Sequence, residues 1–480
     1  VDFPQIGILL AAAALYVLFL PARWRPTFLM VGSVVGLFWL QPTLPVRWLD
    51  YTLPALTLVI VALCWRLTLA PDARVTRADW LALALTAGIA ALLLLPRYIE
   101  LPPALEITSR PPPAEITIPL VAGLSIAGML LARLASGTRR GLLAGVFVLA
   151  GLFVLLKFSP LTTTLAGLAR STTGQDAALA SPVDLGWLGF SYIAFRLIHT
   201  LRDRQTGILP ALGFRDYLSY VIFTPALVAG PIDRAENHGA AVAGLAEARL
   251  RDPARITTAL GRIAVGLFKK FVIADTLAIF SLGPLTASQA DGAGATWVLL
   301  YAYAFRLFFD FSGYTDIAIG IGLLFGVQLP ENFDRPYLKQ NLTIFWQSWH
   351  KSLSDWGRFY IYSPLSRALL KRKPKPGNYV IIFSATAATF IVIGLWHGIT
   401  LPFLLWGAWH ALGLFAHKLW TDRTRAWYRG LSDGRRRAWH VVGTLLTFHF
   451  VALGWVWFAL PDIGQGLRVF AALFGIGGGA

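Results

Sequence analysis

Two histidines carry the chemistry this chain suggests. His397 closes the uncharged run Tyr379–Trp396 and stands in Gly394-Leu-Trp-His397-Gly398. A neutral imidazole there could take the proton of a hydroxyl as that oxygen attacks an acyl carbonyl. Glycine allows close backbone approach, and tryptophans can wall a dry pocket. Trp406-Gly-Ala-Trp-His410 follows. The competing account is a histidine that only packs helices. His350 lies in Phe345-Trp-Gln-Ser-Trp-His350-Lys-Ser-Leu353, within a stretch carrying Lys351, Asp355 and Arg358. That stretch is too polar to span and too aromatic for an ordinary loop, so 341–362 reads as an interfacial amphipathic helix. A plain interfacial histidine is the alternative there. Imidazoles alone can hold zinc or iron, but His350, His397 and His410 lack local ligand spacing, so no metal is assigned.

Ionisable groups within apolar spans form the third candidate place, and their default reading is functional. Arg306 and Asp310 stand at i and i+4, one face of a helix, and so can pair; Asp316 follows in Phe311-Ser-Gly-Tyr-Thr-Asp316. Structural pairing that holds a bundle together stands beside the functional reading. No G-x-S-x-G, Walker loop or H-E-x-x-H occurs, which removes the common soluble-enzyme signatures.

The elements that must position these residues are membrane helices. The 480 residues are 56% hydrophobic and 14% charged, whereas a soluble chain carries about a quarter charged residues. Ile8–Leu20, Leu81–Leu95 and Gly141–Leu156 contain no charged side chain, and about 20 apolar helical residues span a bilayer core. The fold class is therefore all-α, a polytopic bundle of roughly 11–14 spans counting re-entrant segments. Spans are expected near 5–20, 27–41, 51–65, 79–96, 118–132, 141–157, 185–201, 259–283, 294–311, 312–328, 379–397, 400–417 and 438–460. The stretch 216–231 is apolar but contains Pro225 and Gly230-Pro231, so it reads as a broken or re-entrant segment surrounded by protein. The single cysteine, Cys64, excludes an intrachain disulfide. The 18 tryptophans suit interfacial belts. The net charge of +17 reads as basic cytoplasmic loops rather than a nucleic-acid surface. The chain opens on Val1, from which N-terminal trimming is expected; the first apolar stretch has no basic leader and is not read as a secretory signal.

Loop charges orient the bundle. Loop 21–25 carries Arg23 and Arg25, and 42–50 balances Arg47 against Asp50. Loop 97–117 is acidic through Glu100, Glu106 and Glu115 against Arg97 and Arg110, and 133–140 is basic through Arg133, Arg139 and Arg140. Loop 158–184 is acidic through Asp176 and Asp184 against Arg170, and 202–215 is basic again. The alternation puts the N-terminus outside and the basic loops in the cytoplasm. Lys371-Arg372-Lys373-Pro374-Lys375 and 418–437 are also basic and read as cytoplasmic. His397 then falls toward the outer end of its helix, and His350, only 21 residues before Lys371, toward the inner side.

Five runs together resemble the membrane-bound O-acyltransferase family, in its bacterial branch of alginate O-acetyltransferase and teichoic-acid D-alanyl transferase. They are Leu227-Val-Ala-Gly-Pro-Ile-Asp-Arg234, Phe308-Phe-Asp-Phe-Ser-Gly-Tyr314, Pro330-Glu-Asn-Phe-Asp-Arg-Pro-Tyr337, and the two histidine runs above, 47 residues apart. The resemblance implies a bundle enclosing a transmembrane tunnel. It implies that His397 is the catalytic residue and His350 the second functional histidine, lining the donor entrance or orienting the thioester. Trp349, Trp396, Asn332 and Asp310 are the candidate substrate-binding residues, although Asp310 with Arg306 also serves the bundle reading.

The parts expected are 1–184 as N-terminal transmembrane helices, 185–460 as the catalytic core and 461–480 as a tail. The resemblance implies acyl transfer, acetyl as the first reading, from a cytoplasmic thioester to a hydroxyl of an extracytoplasmic glycopolymer or glycolipid. The protein would lie in the inner (plasma) membrane, with acyl-CoA or an acyl carrier protein as donor substrate and no other cofactor. Partners would be membrane lipid, the acceptor polymer and an accessory periplasmic or membrane subunit, with no nucleic acid. An acidic carrier could dock on Lys371–Lys375, which could equally only mark the cytoplasmic face. Gly454-Trp-Val-Trp-Phe458 through Phe474 resembles the alginate type, whereas Phe195-Arg-Leu-Ile-His-Thr-Leu-Arg-Asp203 is similar to the alanyl type. D-alanyl transfer therefore stays open, as does a non-catalytic transporter or assembly subunit with the same bundle.

Overall fold

A computed structural model describes residues 2–70, 72–100, 107 and 111–476. Glu106 and Arg110 of the acidic loop and the tail residues Gly477–Ala480 lie outside the described residues. Every regular element among the described residues is helical. Among the described residues seven helices are long and apolar enough to cross a membrane, which makes this a multi-pass integral membrane protein. The chain divides into two compact units, Val1–Gly261 with Ala318–Pro330, and Arg262–Ile317 with Glu331–Ala480.

The first unit contains α1 (Phe3–Phe19), α2 (Arg25–Trp39), α3 (Leu49–Thr68), α4 (Arg77–Leu92), α5 (Ala114–Ala135), α6 (Arg139–Lys157), α7 (Ser159–Thr172), α8 (Phe190–Thr206), α9 (Phe214–Val221) and α10 (Ala235–Ala243). Residues 158–184, expected as a loop, contain α7, whose Arg170 pairs with buried Asp184 at 2.6 Å. The two charges set against each other in that loop thus form an ion pair. The core gathers Val34, Phe38, Val61, Trp65, Leu197, Leu201 and Tyr217. The apolar stretch 216–231 is indeed broken. α9 ends at Val221, and a single 3-10 turn covers Thr224–Ala226. Backbone freed by that break needs partners. Buried Arg196 supplies them, donating to the Val221 carbonyl at 2.9 Å and the Ala226 carbonyl at 2.8 Å.

α11 (Pro253–Leu267) begins in the first unit and continues through a π-helical turn in the second, and α12 (Gly292–Leu324) belongs to the second unit up to Ile317 and ends in the first. Then come α13 (Leu342–Trp346), α14 (Lys351–Gly357), α15 (Ser363–Leu370), α16 (Asn378–His397), α17 (Leu401–Arg429), α18 (Asp433–Ala459) and α19 (Ile463–Leu473). The spans expected at 294–311 and 312–328 are one 33-residue helix, α12. Gly313 sits inside that helix, where α11 crosses it: a Cβ there would lie 2.8 Å from the Gly266 carbonyl oxygen.

The charges along α12 pair with the neighbouring helix rather than with each other. Asp316 accepts from Arg262 at 2.9 Å and from Lys269 at 2.6 Å, and Arg262 also bonds Glu331. Asp310 takes Lys270, while Arg306 donates to Ser281 at 3.0 Å. The expected Arg306–Asp310 pair is therefore replaced by tertiary partners. Spacing at i and i+4 permits a pair but cannot exclude a closer cation. Asp316→Asn is expected to destabilise the protein by about 1–3 kcal/mol, because two cations lose one carboxylate in a largely buried place. Thermal unfolding in detergent measures it, and an unchanged midpoint would remove Asp316 from the packing argument.

Candidate functional site

His397 is the last residue of α16 and is half-buried. Its ring lies against Trp396 at 4.4 Å, Phe458 at 4.6 Å, Trp406 at 5.6 Å and Phe403 at 5.7 Å between centroids. Three helices thus build one aromatic cage. Trp396 comes from α16, Phe403 and Trp406 from α17, and Phe458 from α18. The glycines flanking the motif let those helices meet. A Cβ on Gly394 would fall 2.3 Å from the Phe403 carbonyl oxygen, and one on Gly407 2.5 Å from that of Phe390.

His350 is buried, and its ring meets Phe311 at 4.7 Å and Trp396 at 6.4 Å. Both imidazoles therefore contact the same indole. The expected interfacial helix over 341–362 is broken instead. α13 ends at Trp346, His350 takes a left-handed conformation at φ 42°, and α14 starts at Lys351. Left-handed backbone costs a residue with a Cβ about 1 kcal/mol, and its surroundings must hold it there. Asn332 does so. Its carbonyl accepts from the Lys351 N–H at 2.9 Å, and its Oδ1 accepts from the Ser352 N–H at 3.2 Å and the Ser352 hydroxyl at 2.6 Å. Asn332, a substrate-binding candidate, thus caps the helix that follows His350.

This geometry corrects the expected depth of His350. Trp396 lies eighteen residues along α16 from its start beside the Lys371 cluster, about 27 Å at 1.5 Å per residue. His350 touches that indole, so it lies at the His397 end of α16, not at the Lys371 end. Sequence distance misled because residues 351–370 are helical and long enough to return the chain to the basic end. Trp349 packs into an aromatic cluster with Phe333, Trp455, Tyr337 and Phe345, at 5.2, 5.2, 5.6 and 5.7 Å. Asp310 is on α12 with its side chain 48% exposed beside Lys270. Of the six candidates, the structure gathers His350, Trp396 and His397 at one place, with Asn332 beneath and Trp349 adjoining in sequence.

Burial pushes His350, which lies outside the candidate spans, down to about 3 from an ordinary value of 6.5. The unfolded chain takes the proton first, so the stabilising contribution is complete above about 6.5 and is lost as pH falls toward 3. Each such histidine steepens the acid limb by about 1.4 kcal/mol per pH unit; His238 on α10, also at about 3, contributes a second. His350→Gln is expected to flatten the fall in unfolding midpoint between pH 6.5 and 4 by one proton's worth. An unchanged slope would mean that His350 is hydrated.

Sequence reasoning missed one cluster in the first unit. His199 and Asp203 on α8 meet Glu236 on α10, with ligand atoms within 4.8 Å of one another. Among the described residues no other group of three or more His, Cys, Asp or Glu side chains meets at such spacing, His350, His397 and His410 included. Arg234 donates to Asp203 at 2.9 Å and to Glu236 at 2.8 Å, filling the cationic position between the carboxylates. The i, i+4 spacing of His199 and Asp203 was visible, but Glu236 and Arg234 arrive through tertiary contact.

Comparison with known proteins follows the same residues. A family model described as MBOAT, membrane-bound O-acyltransferase family, matches residues 151–450. A probable alginate O-acetylase of Pseudomonas syringae pv. tomato is 32% identical over 340 residues, 71% of this chain and 61% of that protein. A peptidoglycan O-acetyltransferase of Helicobacter pylori is 34% identical over 280 residues, 58% of this chain and 50% of that protein. A teichoic acid D-alanyltransferase of Streptococcus thermophilus is 30% identical over 290 residues, 57% of this chain and 68% of that protein. The matched stretches cover about half to two-thirds of the relatives' own lengths.

Proposed function

Because the chain belongs to the membrane-bound O-acyltransferase family, we propose that it transfers an acyl group, acetyl in the first reading, from a cytoplasmic thioester to a hydroxyl of an extracytoplasmic glycopolymer or glycolipid. The supporting observation is the placement of His350 and His397 against the same indole, Trp396, with His397 in an aromatic cage at the end of an apolar helix. In this reading His397 acts as general base toward the acceptor hydroxyl. His350, buried and neutral, orients the acyl group across the indole. A dry aromatic surround suits the step, since water would compete with the acceptor for the thioester.

The bundle would sit in the inner membrane with its basic ends in the cytoplasm, where thioesters are made, and enclose a passage between the two faces. Residues 185–460 would be the catalytic part. The donor would be acyl-CoA or a carrier protein held by charge at Lys371–Lys375, and an accessory subunit would present the acceptor. D-alanyl transfer is the second reading, favoured by the similarity to the streptococcal D-alanyltransferase. One experiment separates them. Ester-linked acids are released by mild base from the envelope polysaccharide of cells with and without the protein and identified by mass spectrometry. Acetate lost with the protein supports the first reading and alanine the second. Ester content that does not depend on the protein sinks both.

A further inference from the structure

Three rings of the second unit face one another behind the cage. They are Trp346 on α13, and Trp406 and His410 on α17. Their centroids are 5.0 Å apart for Trp346–His410, 4.9 Å for Trp406–His410 and 5.7 Å for Trp346–Trp406. All three are buried, His410 completely. The Nε1 of each indole and both nitrogens of His410 have no hydrogen-bond partner in the chain. Phe390, Phe450 and Trp455 pack around His410 and carry no side-chain acceptor oxygen. Buried polar atoms are costly to leave unmet, and four of them on three touching rings is a concentration that packing alone does not account for. Glycine lets α18 pack closely against the imidazole. A Cβ on Gly454 would stand 2.9 Å from His410 Nε2.

We propose that Trp346, Trp406 and His410 form a binding site for a single hydroxyl-type oxygen. The donor and acceptor count selects it. Each indole offers one donor and no acceptor, and a neutral imidazole offers one of each. A hydroxyl can accept from both indoles and give its own proton to the unprotonated imidazole nitrogen. A carbonyl or carboxylate has no proton to give, and a cation would meet two N–H groups. The oxygen can come from two sources, an internal water or a hydroxyl of the acceptor. Trp406 also walls His397 at 5.6 Å, so an oxygen here lies one indole from the proposed base. Only the acceptor source rests on the acyl-transfer reading.

The test is electron cryo-microscopy of the full chain in lipid nanodiscs, at a resolution that shows ordered water, with and without a free monosaccharide acceptor. The wild type is expected to show density within hydrogen-bond distance of at least two of the three rings. Gly454→Ala is expected to lose that density because its methyl would press on His410 Nε2 at 2.9 Å and displace the ring, and Trp346→Phe to weaken it by removing one donor while keeping the ring. Density unchanged by the sugar identifies water. Density that becomes continuous with the sugar identifies an acceptor hydroxyl. No density in the wild type under either condition overturns the proposal, and that result stands whether or not the preparation transfers acyl groups.

Discussion

Replacing His397 by alanine is expected to lower ester formation about 10²–10⁴-fold, the range for losing a positioned general base, with little change in stability. The structure separates the two effects. His397 is the final residue of α16, half-buried, and is followed by Gly398. The four rings around it belong to three helices that also contact each other directly, Trp406 with Phe458 at 5.8 Å and Phe403 with Phe458 at 5.2 Å. Truncation therefore removes the imidazole and leaves most of the cage. The measurement is acyl transfer by purified protein in nanodiscs, paired with the unfolding midpoint of the same preparation. Activity lost at an unchanged midpoint supports the base assignment. A midpoint that falls as far as activity does would return His397 to the packing account, and unchanged activity would remove it from the chemistry. His350→Ala differs because His350 is wholly enclosed. It is expected to lower both quantities, since the void it leaves lies beneath Trp396.

What the sequence made legible follows from how local each signal is. A charge-free run ending in Gly-Leu-Trp-His-Gly can do little but place a histidine at a helix end with glycine on both sides, and α16 ends at His397. Likewise Pro225 clashes with the carbonyl four residues before it, and α9 stops at Val221, whereas Pro54 and Pro119 sit inside α3 and α5. The misreadings all concern tertiary choice. Arg306 and Asp310 satisfy the i, i+4 rule, yet Lys270 and Ser281 win them because a neighbouring helix brings partners nearer. His350 was placed by its distance along the chain from Lys371, and a helical return of twenty residues makes that distance meaningless in space. Asn332, a substrate-binding candidate, also caps the helix that follows His350. Its capping role required knowing that His350 turns left-handed. The three-ring site was invisible for the same reason, since Trp346 joins Trp406 and His410 across sixty residues of chain.

The second large effect is expected from a single methyl group. Gly394 and Gly407 face each other where α16 crosses α17, with the ideal Cβ of Gly394 3.5 Å from the Gly407 Cα. The added atom in Gly394→Ala would meet the Phe403 carbonyl oxygen at 2.3 Å, and in Gly407→Ala that of Phe390 at 2.5 Å. Both obstacles are backbone, which no rotamer change can move aside. The helices must separate by about 1 Å, an overpacking cost of about 1–3 kcal/mol. Phe403 and Trp406, two walls of the His397 cage, travel with α17. A shift of about 1 Å at a reacting group costs about 10²-fold in rate, so activity is expected to fall further than stability does. Gly123→Ala on α5, where nothing lies within 4 Å of the added carbon, should leave both unchanged. The double variant distinguishes a shared crossing from two separate clashes. Once one methyl has parted the helices the second meets more room, so the combined loss of stability should be less than additive. Strict additivity would mean that each glycine is held by its own contacts, and that the cage does not depend on how closely α16 and α17 approach.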